Sequence, residues 1–240
     1  SYETHRDIPS EERSQLLIQD TSEEACLLLP GLHATPASLQ PLAQYLHQAG
    51  FTVQLQNVGG SAGSESARDV NGVQNPVWRA HLAVARRCYH SLASLHRRVY
   101  VVGYSYGAAL ALLLARREPV SKLVLLAPAL VPRLSFSHRL LRSWRLHRLP
   151  GIRHRLSWNT DLLQGMEQAK SAAAHVDMPV YAAQCEDDEH VSPDSLRHLQ
   201  KKSRNTTSRF QIFAHGGHTL LATHGEATLH EEIRRFLSDH

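Results

Sequence analysis

A serine bracketed by glycines, Gly103-Tyr104-Ser105-Tyr106-Gly107, is followed downstream by four consecutive acids, Glu186 to Glu189, and then by His215 and His218. A serine hydroxyl attacks a carbonyl only when a base takes its proton and a carboxylate orients that base. Serine, acid and histidine in this order are therefore the parts of a nucleophilic hydrolase. The pentapeptide alone is weak evidence, since roughly one chain in ten of this length carries it by chance. Its setting is stronger. The apolar run Val99 to Tyr104 leads into it and the stretch Tyr106 to Arg116 leads out, which is the strand, turn and helix of a nucleophile elbow. Gly103 and Gly107, with Ala108 and Ala109, let the helix pack close under the turn. The helix start offers free N–H groups and partial positive charge where an oxyanion would develop. On residue types alone, any of the four acids and either histidine can complete the set. An ordinary turn serine is the competing reading of Ser105.

The elements that must position these residues are short apolar runs alternating with amphipathic stretches, the pattern of βα units on a parallel sheet. Strands are expected at 15–19, 25–29, 52–58, 99–104, 122–127, 179–185 and 209–213, several of them unbroken apolar runs suited to a strand covered on both faces. Helices are expected at 36–49, 76–95, 106–116, 193–201 and 226–237. No repeat of 20 to 50 residues interrupts the series. The alternation fails once, from Ala129 to Val176, where Arg-rich helical sequence with Trp144 and Trp158 intervenes. That stretch, about Leu130 to His175, reads as a cap inserted into one domain spanning 1–240.

Composition narrows the class. Of 240 residues, 42% are hydrophobic and 20% charged, which excludes a disordered or collagenous chain. No apolar run is long enough to span a bilayer, and the polar start, Ser1 to Glu12, is unlike a signal peptide. Cys26, Cys88 and Cys185 lie in apolar segments without metal-ligand spacing, so they are expected to be buried and reduced, and the chain to be cytoplasmic. The net charge of +4 is local: from 130 to 175 eight Lys or Arg face two acids, a surplus of 6, which leaves −2 for the rest. Nucleic-acid binding is a poor explanation, because one Arg-rich segment without a recognised module or interleaved aromatics is not a binding surface. The 17 histidines lack the i, i+4 pairing with a carboxylate that a zinc protease needs, and neither a metal nor an organic cofactor is implied.

The sequence resembles the α/β-hydrolase superfamily, and within it the carboxylesterase and monoacylglycerol-lipase-like branch. The matching stretches are Leu27 to Pro36, Leu42 to Val53, Val101 to Ala108, Met178 to Pro193, and His215 to His218. The resemblance implies a mostly parallel central sheet with helices on both faces and a small helical cap. It also resolves the alternatives. The family's Gly-x-x-Asp-x-x-Val spacing lands on Cys185, Asp188 and Val191, so Asp188 is the expected acid and Asp187 the second choice, with the other acids read as a solvated turn. The family's histidine follows a small residue and precedes the last helix, which selects His218 and leaves His215 as a loop residue near the pocket. The oxyanion hole would use the backbone N–H groups of Tyr106 and Leu32. Gly31, His33 and Trp144 are the expected pocket residues, and Trp78 matches a packing tryptophan. Two departures touch the site: the family's His-Gly-x is Pro30-Gly31-Leu32 here, and its Gly-His-Gly turn is replaced in Val58 to Gly63.

A serine nucleophile argues against dehalogenases and epoxide hydrolases of this fold, which use Asp. The expected activity is cleavage of short- or medium-chain acyl or monoacylglycerol-like esters through an acyl-enzyme. A thioesterase with the same triad and a degenerate hydrolase serving as a binding module are the alternatives, and peptidase activity occurs in related branches. The partner is a small ester, with no stable membrane insertion and no constraint on oligomeric state. Phe136, Leu140, Leu141 and Trp144 have helical spacing, with Arg139, Arg142, Arg145 and Arg148 alongside. These arginines either face water or attract an anionic ester or a lipid surface.

Overall fold

The computed structural model of the chain describes residues 13–32, 36–58, 76–133, 150–223 and 226–239. Seven strands form one sheet: β1 (Gln15–Leu17), β2 (Glu24–Leu29), β3 (Thr52–Leu55), β4 (Arg98–Tyr104), β5 (Leu123–Leu126), β6 (Val180–Cys185) and β7 (Arg209–Phe213). Their order is β1-β3-β2-β4-β5-β6-β7, parallel throughout except that β1 runs antiparallel to β3. This is the α/β-hydrolase architecture that the sequence implied. The helices are α1 (Gln40–Gln48), α2 (Val77–Ala93), α3 (Tyr106–Ala115), α4 (Pro150–Ala172), α5 (Asp194–Lys202), the single turn α6 (Leu220–Thr223) and α7 (Glu226–Ser238).

The central strands are apolar along most of their length because both faces are covered, and the strand period of two deals their side chains to two cores. Leu27, Leu29, Val99, Val101, Leu123, Leu125 and Ala182 join the core beneath α2, α3 and α4. Their neighbours Cys26, Leu28, Tyr100, Val102, Val124, Leu126 and Tyr181 join the core on the opposite face with α1 and α7. Helix α3 sits innermost. All ten of its residues are buried, so it carries no polar stripe and reads as an apolar run rather than an amphipathic one.

The C-terminal part of the stretch expected to form a cap belongs to the core instead. Leu162, Ala169, Ala172, Ala173 and Val176 are buried in the core with α3, so the second half of α4 is the ordinary crossover helix between β5 and β6. It escaped the sequence reading because it packs through small residues. A β-carbon at Gly165 would lie 2.8 Å from Trp78 Cβ and 2.9 Å from its Cγ, so helix and indole touch where a larger residue would hold them apart. Trp78, 5% exposed, has the packing role expected of it. The expected arginine-rich helix at 136–149 lies outside the described residues. Cys26 and Cys185 are buried, whereas Cys88 is only partly so, its thiol donating to Gln56 Oε1 at 3.1 Å. Among the described residues no helix is long and apolar enough to cross a membrane.

Candidate active site

Three strands end at the same rim of the sheet, and each delivers one polar side chain there. At the end of β4 the chain turns directly into α3 through Ser105, which has φ 55° and ψ −117°. A non-glycine residue at such a φ is strained and persists only when its surroundings hold it. Here they do: Ser105 N–H donates to Leu126 O at 2.8 Å, and Ser105 O accepts from Ala129 N–H at 3.1 Å. The flanking glycines are dictated by contact. A β-carbon at Gly103 would meet Ala108 Cα at 2.5 Å, and one at Gly107 would collide with the carbonyl oxygen of Leu29. The latter contact also shows that the loop leaving β2 passes against the elbow. Tyr106 N–H is at the first position of α3, where no intrahelical carbonyl can reach it. Leu32, three residues beyond Leu29, packs partly buried against the α3 core, and Gly31 beside it is buried.

Asp188 follows β6 and is fully buried. One of its oxygens, Oδ1, accepts the backbone N–H groups of His190 and Val191, both at 2.9 Å; the other, Oδ2, lies 2.8 Å from His218 Nδ1. Burial pushes this carboxyl up, but the hydrogen bonds from His218, Val191 and His190 together outweigh it and hold it below the ordinary aspartate range. His218 follows β7, and its Nε2 stands 2.9 Å from Ser105 Oγ. A carboxylate can only accept, so the imidazole proton belongs on Nδ1, leaving Nε2 to accept the serine hydroxyl. The imidazole is 13% exposed, enough to be reached from one side.

Several neighbours of this trio were invisible in the sequence. Tyr104, the residue before Ser105, donates its hydroxyl to His218 O at 2.8 Å, and its ring lies 5.5 Å from the imidazole. Asp187 accepts from Gly217 N–H at 2.8 Å and Gly216 N–H at 3.3 Å, and Glu189 accepts from His218 N–H at 3.2 Å. Asp187, the second choice for the acid, and Glu189, read from sequence as part of a solvated turn, are both exposed and both also reach the histidine loop. Glu186 does not; it pairs with Arg197 at 2.7 Å. His190 presents its ring edge-on to His218 at 5.1 Å. His215 is 90% exposed and stands 3.6 Å from Asp187. The expected pocket residues His33 and Trp144 lie outside the described residues. Among those described, no group of three or more His, Cys, Asp or Glu has a metal-holding arrangement.

A family model described as serine aminopeptidase, S33, matches residues 20–154, more than half of the sequence. The chain belongs to this hydrolase family. Among curated proteins none matches it. Solved structures share its fold over nearly their whole length. One is described with LipS and LipT, two metagenome-derived lipolytic enzymes; it superposes with a TM-score of 0.76 at 16% identity, covering 96% of this chain and 99% of that one. Another is a monoacylglycerol lipase from Paleococcus ferrophilus, with a TM-score of 0.72, 16% identity and coverage of 94% and 97%. A third is MenH from S. aureus, with a TM-score of 0.61, 14% identity and coverage of 93% and 97%. At these identities the likeness is one of fold.

Proposed function

We propose that this hydrolase cleaves carboxylic esters of short- or medium-chain acyl or monoacylglycerol-like type through an acyl-enzyme on Ser105. The observation that carries the reading is the unbroken chain Asp188, His218, Ser105, with hydrogen-bond distances of 2.8 Å and 2.9 Å at a serine held in strained geometry. Ser105 Oγ attacks the ester carbonyl carbon as its proton passes to His218 Nε2. Asp188 holds the imidazole in the productive tautomer and stabilises the imidazolium. The backbone N–H groups of Tyr106 and Leu32 receive the oxyanion. On collapse the carbon–oxygen bond to the alcohol breaks, and His218 returns the proton to the leaving oxygen. Water then attacks the acyl-serine with His218 again as base, releasing the acid and restoring the serine hydroxyl. No cofactor enters these steps.

Lipolytic and monoacylglycerol-lipase relatives of the same fold support the ester reading, while the family description supports a peptide arm in the test. A thioesterase would use the same three residues. The experiment is intact-mass analysis after treatment with a fluorophosphonate probe, followed by turnover of p-nitrophenyl esters of graded chain length, acyl-CoA thioesters and aminoacyl anilides. One adduct, absent in Ser105→Ala, with esters of short or medium chain as the fastest substrates, is the expected result. An unlabelled wild-type serine overturns the hydrolytic reading in favour of a binding module. Labelling with faster thioester or anilide turnover overturns the substrate class alone. Matched neutral and anionic esters across a salt titration read the role of the arginine-rich segment.

A further inference from the structure

The β6 and β7 strands pair in parallel through Cys185 and Phe213, and the pairing is extended by Glu186 N–H donating to Phe213 O at 2.8 Å. The acid turn and the histidine loop therefore leave the sheet side by side, which brings 187–189 opposite 216–218. The loop has little rigidity of its own. Gly216 and Gly217 have φ values of 134° and 62°, and glycine is the residue that loses most freedom when held in one conformation. Yet its three N–H groups and two of its carbonyls are engaged. Gly216 and Gly217 N–H donate to the two oxygens of Asp187, and His218 N–H donates to Glu189. Gly216 O accepts from the Thr223 hydroxyl at 3.1 Å, and His218 O from the Tyr104 hydroxyl at 2.8 Å. All three loop N–H groups donate to carboxylate oxygens, and both carboxylates flank Asp188 directly.

We infer that Asp187 and Glu189 are positioning residues, a carboxylate clamp on the backbone of 216–218 that sets where His218 stands between Asp188 and Ser105. The inference rests on the catalytic reading of those three residues. Asp188 orients the imidazole through its ring, and its two neighbours orient the main chain from which that ring projects. One tight turn thus controls both the rotation and the location of the base. The Gly217 N–H, with the Gly216 N–H behind it, holds the Asp187 carboxyl below the ordinary aspartate range, the mark of hydrogen bonds made to its charged form. Glycine at 217 fits the arrangement: a β-carbon there would approach Glu189 Oε2 to 3.1 Å. Glu186, in the same acidic run but paired with Arg197, is outside the clamp and is the internal control.

The test compares Asp187→Ala, Asp187→Asn, Glu189→Ala and Glu186→Gln with the wild type. The readouts are p-nitrophenyl butyrate kinetics, the rate of fluorophosphonate labelling, thermal melting and hydrogen exchange across residues 214–219. Misplacing a catalytic group by a fraction of an ångström to one ångström costs roughly tenfold to a hundredfold in turnover. Asp187→Ala is expected to lose about that much in kcat and in labelling rate, with KM held within about twofold, and to show faster exchange in the loop. Asn retains a single acceptor oxygen for two donors, so Asp187→Asn falls between Ala and the wild type. Glu189→Ala shows a smaller loss of the same kind, and Glu186→Gln matches the wild type. Wild-type kcat in both Ala variants overturns the clamp, as does slowed turnover with unchanged loop exchange. If Asp187→Ala melts early, the Asn variant decides by the same readouts. Failure of the wild type itself to label is a different result, which removes the catalytic reading beneath.

Discussion

Replacing His81 with phenylalanine should remove a specific acid sensitivity from this protein. His81 is on α2 facing α3, only 2% exposed, with its Nδ1 3.2 Å from the hydroxyl of Tyr106. Burial pushes the phenol up, so Tyr106 keeps its proton and its hydroxyl shares a hydrogen bond with the imidazole nitrogen. Burial pushes His81 the other way, from 6.5 down to about 4, because a charged imidazole there would lose its water. Between those two values the unfolded chain binds a proton that the folded chain refuses, and stability falls as the pH is lowered. At 1.36 kcal/mol per unit, the loss reaches about 2 kcal/mol by pH 5 and about 3 kcal/mol by pH 4. The Asp188 carboxyl is shifted in the same direction, held below its ordinary 3.8; its stabilisation is present above that value and fades only beneath it, so the two windows are separate. Phenylalanine keeps the edge-to-face packing on Tyr106, whose ring now meets His81 at 78°, and leaves one hydroxyl unpaired at a cost independent of pH. Urea denaturation of both proteins from pH 7 to pH 4, followed by fluorescence, gives the stability difference, in which the other titrating groups cancel. Wild type is expected to lose about 2 to 3 kcal/mol relative to His81→Phe across that range. A difference that stays flat would refute the reasoning, since it would mean that the folded protein protonates this imidazole as readily as water does.

Two further outcomes follow from the elbow and the acid. Gly107→Ala places a methyl group on the carbonyl oxygen of Leu29, where neither backbone can retreat without separating β2 from α3. A destabilisation above about 3 kcal/mol by thermal or urea unfolding is expected, with loss of fluorophosphonate labelling at Ser105. Asp188→Asn keeps the side-chain shape but no longer demands the proton on Nδ1 of His218. Ester turnover is expected to fall by roughly four orders of magnitude, measured as kcat on a p-nitrophenyl ester, while the fold is retained.

Much of the fold was legible because its signals are local. All seven strands and five of the helices lie at their expected positions, within a few residues at the ends, since unbroken apolar runs bounded by Gly, Pro and polar clusters have few other uses. The half of α4 that was mistaken for cap failed this test for a physical reason. It packs on α2 and α3 through Ala169, Ala172 and Gly165, and small residues that permit close approach carry little hydrophobic signal. The neighbours of the trio were illegible for another reason. Nothing in the run Glu186 to Glu189 distinguishes the residue that turns to Arg197 from those that turn to the histidine loop.

The primary structure alone determined which residue types were available for chemistry and at which strand ends they would emerge, because strand, turn and helix are decided by neighbours along the chain. Family spacing then singled out Asp188 and His218 from their competitors. The distances of 2.8 Å and 2.9 Å joining 188, 218 and 105 belong to the folded state only. They depend on strand order, which sets β6 and β7 on the same side of β4, and on the pairing that lays one loop against another. Such contacts join residues 30 and 113 positions apart in the chain, and no local preference specifies them.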